Sequence, residues 1–158
     1  KSAFLILPST KSKFLSILSI QFNELTPRSK IDGFLIQEMS AEGVECFVGG
    51  RQDPVFGPIV IAGLGGIFLE IFKDTSIRLA PVTKNEALDM LGQLQAYPVL
   101  RGARGKKMAD IEALADVICR VSNLLANNQE IAEIDLNPVI VRDQGKGVSI
   151  VDSRLFFK

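Results

Sequence analysis

Histidine is absent from all 158 residues. That absence excludes Ser-His-Asp and Cys-His nucleophilic devices, a His-ligated metal and any phosphohistidine carried by this chain. Cysteine is scarce. Cys46 and Cys119 stand far apart in apolar surroundings, outside any C-x-x-C or Cys/His cluster, so free thiols of a reducing compartment are expected rather than a disulfide. Net charge is missing as well: 18 basic side chains balance 18 acidic ones. No long-range field therefore favours nucleic acid, and any bound anion has to be held locally. Long apolar runs are lacking too, because Pro8, Lys11 and Lys13 interrupt "KSAFLILPSTKSKFLSILSIQF" well short of a membrane span. Neither a long apolar h-region nor a small-residue cleavage site is present. The expected chain is cytoplasmic, with no membrane and no nucleic-acid partner.

What is present is core-forming residue. At 47% hydrophobic over 158 residues, the chain supports one ordinary core. Residues 1–30 show no sustained period, although "SKFLSILSIQFNEL" reads as one amphipathic helix. From Ile31 the runs "DGFLIQEM" and "GVECFVGG", separated by Ser40 to Gly43, predict a hairpin, and "GPIVIAGLGG", "IFLEIFKD" and "SIRLAPV" predict further strands. After Pro81 the period becomes helical. "TKNEALDMLGQL" offers Thr83 as N-cap with Glu86 at capping-box spacing, and Leu88, Leu91 and Leu94 mark an apolar face. "MADIEALADVICRVSNLLANN" carries Ile111, Leu114, Ala115, Ile118, Val121, Leu124 and Leu125 at three- and four-residue spacings, ending near Asn127 and Asn128. Strands in runs with helices inserted, and no regular βαβ alternation, predict an α+β fold with a mostly antiparallel sheet.

The last stretch, "EIDLNPVIVRDQGKGVSIVDSR", places Asp135, Asn137 and Asp152 inside runs of Ile, Leu and Val. Strand alternation puts Glu133, Asp135 and Asn137 on one face. A turn in "DQGK" centred between Gln144 and Gly145 brings Asn137 opposite Asp152. An Asn carbonyl and an Asp carboxylate are hard oxygen donors of the kind that hold Mg²⁺ together with phosphate oxygens and water. A second reading fits the spacing equally: Asp135 caps a bend, Asn137 precedes Pro138 in a turn, and Asp152 is a solvated strand end.

"EIDLNPVIV" followed by "IVDSRL" resembles the terminal metal-binding strands of the ATP-grasp fold in the NDP-forming acyl-CoA synthetase superfamily. The block from "IDGFLIQEM" to "SIRLAPV", with "YPVLRGARGKKMADIEAL", resembles the β-type region of its ADP-forming acetyl-CoA synthetases, from about Ile31 to Leu155. The resemblance implies an ATP-grasp C-terminal subdomain over 31–158, preceded by a poorly matched segment over 1–30. It implies Asn137 and Asp152 as metal ligands, with Asp135 and Glu70 in the same phosphate and metal region. Gln37, Glu38 and Met39 would lie along the adenine, and Glu45 would be a nucleotide-side carboxylate; an exposed hairpin face is the plainer reading of Glu38 and Glu45. Arg51, Lys73 and Arg78 flank "GLGG", and Arg51 and Arg78 are the candidates for stabilising charge on a transferred phosphoryl group, because a guanidinium donates in a fork and stays protonated. "GLGG" itself lacks the G-K-[ST] ending of a P-loop.

The function so implied uses ATP/ADP and Mg²⁺ in the reaction acyl-CoA + ADP + phosphate ⇌ carboxylate + ATP + CoA, with acyl-CoA and nucleotide as small-molecule partners. Because this chain has no histidine, the phosphohistidine would sit on a partner α-type CoA-binding region. The first half of an ATP-grasp site, with its phosphate-gripping lysines, has no match in residues 1–30. A second hypothesis is a non-catalytic, synthetase-like scaffold module of a protein acetyltransferase. In either case the sheet surface that would face the other half is expected to be covered, by the N-terminal segment or by a second copy in a homodimer.

Overall fold

In this computed structural model, residues 4–7, 35–38, 40–66 and 74–158 are described. They fall into two compact units, Lys1–Ser40 and Ala41–Lys158. In the first unit, β1 (Phe4–Leu7) and β2 (Leu35–Glu38) pair in parallel, with Gln37 opposite Ile6 and Glu38 opposite Leu7. The hairpin expected between "DGFLIQEM" and "GVECFVGG" is therefore not formed. Its second run is β3 (Val44–Asp53), whose two edges are taken by β4 (Gly57–Leu64) and β6 (Ile131–Val141), leaving no edge for β2. The expected helix "SKFLSILSIQFNEL" and, except for Asp74, the strand "IFLEIFKD" lie outside the described residues.

The second unit is built on a six-stranded sheet. β5 (Thr75–Leu79) forms one edge, followed by β4, β3 and β6. The last position is shared: β7 (Val148–Ile150) pairs with the C-terminal half of β6 and β8 (Ser153–Phe157) with its N-terminal half. All pairings in this sheet are antiparallel, as the α+β reading predicts. The turn between β6 and β7 closes with the Lys146 N–H donating to the Asp143 carbonyl at 2.9 Å. Asn137 consequently falls opposite Asp152, and the Asn137 N–H donates to the Asp152 carbonyl oxygen at 3.2 Å.

Among the described residues, helices cover one face of the sheet. α1 (Lys84–Gly92) begins with the expected capping box: the Thr83 hydroxyl accepts from the Glu86 N–H, and the Glu86 carboxylate accepts from the Thr83 N–H at 2.7 Å. These bonds satisfy donors that a helix start leaves without intrahelical partners. The short α2 (Tyr97–Leu100) and a 3₁₀ turn (Ala103–Gly105) lead to α3 (Ile111–Asn127), capped by the buried Asp110. One Asp110 oxygen accepts from the Ala113 N–H and the other from the Gly147 N–H at 2.7 Å, so the cap also ties the helix to the β6–β7 turn. Lys84 bridges α1 to α3 through Glu112 and Asp116, at 3.0 and 2.9 Å.

The α3 stripe Leu114, Ala115, Ile118, Val121 and Leu125 is buried against Val48, Val60, Ile134 and Leu136 of the sheet. Leu124, expected on the same stripe, is 45% exposed. Helix and sheet approach closely at Gly50, where a Cβ would collide with the Ile59 carbonyl oxygen and with Leu125 Cδ1. Cys46 sits in this core, and burial pushes its thiol up to about 12. Both cysteines are free thiols, as expected. No helix among the described residues is long and apolar enough to cross a membrane.

Candidate functional site

The face of the sheet opposite the helices is where the candidate residues gather. Regular alternation along β3 sends Cys46, Val48 and Gly50 toward the core and Glu45, Phe47, Gly49 and Arg51 to the other side. Register carries that side across the sheet. Arg51 lies between Ile59 of β4 and Glu133 of β6, and Gly49 between Ile61 and Asp135. Beyond β6, Asp135 opposes Arg154 and Glu133 opposes Phe156. A shallow groove of about 310 Å³ runs over this surface, with Phe47, Ile59, Ile61 and Ile77 as apolar floor and Arg51, Glu133 and Asp135 as polar rim. Because Gly49 has no side chain, Asp135 meets only backbone across the strand.

At the end of the groove β6 irregularly spends two residues, Asn137 and Pro138, where β3 spends one, Phe47. This bulge interrupts β6 beside the junction of β7 and β8, where Asp152 lies. The side chains of Asn137 and Asp152 are both exposed, and the Asp152 carboxylate is 3.9 Å from the Arg154 guanidinium. Asn137 opens the bulge directly after Asp135 and Leu136, and Asp152, just ahead of β8, keeps its carboxylate beside Arg154.

Glu45 stands beside the "GLGG" turn. The Gly65 N–H donates to the Glu45 carbonyl at 2.8 Å, and Gly66, with φ +61°, brings its backbone close enough that a Cβ there would lie 3.8 Å from Glu45 Oε2. The positive φ makes this a glycine position. Among the described residues, no hydrogen bond is formed by the Glu45, Glu133 or Asp135 carboxylate. The Arg51 side chain is 61% exposed, with Asp53 as its ion partner among the described residues at 3.4 Å.

The structure thus brings Glu45, Arg51 and Asp135 to one face of one sheet and sets Asn137 and Asp152 next to each other at the end of that row. It does not bring Arg78 there. Arg78 opposes Val60 on the helix-covered face and donates to Gln93 Oε1 at 2.7 Å and to the Ile77 carbonyl at 2.8 Å. Gln37 and Glu38 belong to β2 of the other unit, and Met39, Glu70 and Lys73 lie outside the described residues. Arg154 was not singled out from the sequence, yet the pairing that sets Asn137 against Asp152 also sets Asp135 against Arg154.

Among the described residues there is no group of three or more His, Cys, Asp and Glu able to enclose a metal. The donor chemistry fits a different mode of binding, in which one or two hard protein oxygens share an Mg²⁺ with phosphate and water. Asn137 and Asp152, exposed and joined through their backbones, offer that donor set.

A family model described as an ATP-grasp domain matches residues 11–156, beginning ahead of Ile31. The ADP-forming acetate-CoA ligase I subunit beta of Pyrococcus furiosus is 47% identical over 129 residues, covering 82% of this chain and 55% of that subunit. The ADP-forming acetate-CoA ligase I of Archaeoglobus fulgidus is 46% identical over 129 residues, covering 82% of this chain and 18% of that protein. Among solved structures, the dinucleotide-forming acetyl-coenzyme A synthetase 1 of Ca. Korarchaeum cryptofilum, in complex with coenzyme A and Mg-AMPPCP, matches with a TM-score of 0.72 at 43% identity. That match covers 77% of this chain and 56% of the synthetase chain. This chain therefore spans about half the length of the Pyrococcus subunit beta and of the Korarchaeum synthetase chain, and about a fifth of the Archaeoglobus ligase. With its sequence matching over nearly its whole length and its fold aligning to the solved synthetase, the chain belongs to the ATP-grasp domain family.

Proposed function

We propose that this chain is the nucleotide- and Mg²⁺-binding portion of an ADP-forming acyl-CoA synthetase, acting in the cytoplasm. The observation that carries the reading is the placement of Glu45, Arg51 and Asp135 along one sheet face, with Asn137 and Asp152 adjoining at its end. Identities of 46 and 47% to ADP-forming acetate-CoA ligases support the reaction class. The Korarchaeum synthetase carries coenzyme A, Mg-AMPPCP and a phosphohistidine segment directed at its nucleotide site. The chain without histidine is assigned the side that receives such a segment, and an α-type CoA-binding partner the side that supplies it.

In this reading the apolar floor of the groove takes the flat nucleotide base, and Glu45 orients the nucleotide beside the "GLGG" turn. Asn137 and Asp152 hold Mg²⁺, with Asp135 and Glu70 as further acidic contacts. When bound, Mg²⁺ neutralises phosphate charge during in-line transfer. Arg51, exposed on the rim, donates to charge developing on the transferred phosphoryl group. Arg78, engaged on the far face, is left out of this machinery and joins β5 to Gln93.

One sheet face supplies few of the donors a triphosphate needs. Calorimetry of this chain alone is therefore expected to show weak or no Mg²⁺-dependent ATP binding, and the same residues within a complete β-type region are expected to bind at least about 100-fold more tightly. Equal, tight binding by the isolated chain would overturn the partial-site assignment.

A further inference from the structure

The two edges of the six-stranded sheet are treated differently. At β5 the Arg78 guanidinium donates to the Ile77 carbonyl at 2.8 Å, occupying a main-chain acceptor that another strand would need. Side chains that cap an edge in this way discourage further pairing. Among the described residues, the opposite edge has no such device. Every residue of β8 is exposed, with Leu155 at 45%, Phe156 at 51% and Phe157 at 63%, and its only strand partner among the described residues is β6. An apolar strand with a vacant hydrogen-bonding edge is a template for one more strand.

The composition of that edge selects its occupant. Aligned antiparallel to itself about Leu155, the strand sets Leu155 against Leu155, Ser153 against Phe157, Arg154 against Phe156 and Asp152 against Lys158. Cross-strand partners share a face. The outward-turned row thus matches a carboxylate with an ammonium and a guanidinium with an aromatic ring, twice each, while the other row matches apolar with apolar at its centre. We propose that β8 is the interface for a second copy of this chain, its strand pairing antiparallel with its twin about a two-fold axis through Leu155. This contact is isologous and closes after two copies. It shares Asp152 with the nucleotide reading, so its tests read association and cross-linking rather than activity.

A five-residue edge buries less than a standard interface, so the dimer is expected to be weak, with a Kd on the order of 10–100 µM. Sedimentation of the full chain across a dilution series is expected to show reversible dimerisation. Lys158→Asp and Asp152→Lys should each weaken it about tenfold, and the two together should restore it, because the symmetric register returns opposite charges to facing positions. In a Cys119→Ser background, Leu155→Cys should form an intermolecular disulfide with diamide, since directly paired Cα atoms about 4.5–5.5 Å apart lie within disulfide range. Arg154→Cys, whose partner position is Phe156, should not. A monomer at every concentration up to about 1 mM, or a dimer indifferent to the charge exchange with no Leu155→Cys cross-link, would overturn the proposal. The substituted side chains at 152, 154, 155 and 158 are solvent-exposed and Cys119 is half-buried on α3, and circular dichroism verifies that each variant is folded.

Discussion

Replacing Asp152 by alanine in the assembled synthetase is expected to lower ATP formation by about 100-fold or more while leaving the thermal midpoint almost unchanged. The asymmetry follows from where the side chain is. Its carboxylate is 55% exposed and meets only Arg154, at 3.9 Å, so folding makes little use of it. The link to Asn137 runs through the Asp152 main-chain carbonyl, which the substitution retains. A hard oxygen donor removed from an Mg²⁺ site loses both metal affinity and the positioning of the phosphates, and even outer-shell partners of metals are worth 10–100-fold. Steady-state ATP formation across a Mg²⁺ titration measures the effect. Activity within about threefold of wild type at low Mg²⁺ would remove Asp152 from the site.

Leu125→Ala is expected to give the largest loss of stability, about 2–5 kcal/mol. Leu125 is fully buried on the inner stripe of α3, with Cδ1 filling the space that Gly50 leaves in the sheet. The cavity cannot close by helix movement alone, because the Asp110 cap and the Lys84 bridges fix α3 at other points. Leu124→Ala provides the contrast. With Leu124 45% exposed, that change should stay within about 0.5 kcal/mol despite the identical chemistry. Urea unfolding with unchanged slope gives both values, and equal losses at the two positions would contradict the packing described.

The parts of this fold that could be read from the sequence are the parts decided locally. Thr83 and Glu86 form their capping box within one turn of helix, and the Asp143 to Lys146 turn sets the register that puts Asn137 opposite Asp152. Neither needs information from distant residues. The pairing of β2 was misread because adjacency in sequence favours a hairpin, whereas β3 is claimed on both edges by β4 and β6 from farther along the chain. Arg78 illustrates the same limit. Its spacing from Arg51 looks suitable, but which face it takes depends on the pairing of Val60 with Arg78 across β4 and β5, and that pairing is long-range. Arg154, by contrast, was recoverable: the turn arithmetic that located Asp152 places Arg154 against Asp135 two residues later.

The most direct test of the nucleotide assignment is ATP formation from acetyl-CoA, ADP and phosphate by the complete β-type region containing these residues, mixed with an α-type CoA-binding region. The expected result is Mg²⁺-dependent ATP synthesis that requires both components and is abolished by chelation of the metal. A mixture that binds coenzyme A yet forms no ATP, or that forms it equally without the β-type region, would contradict the account.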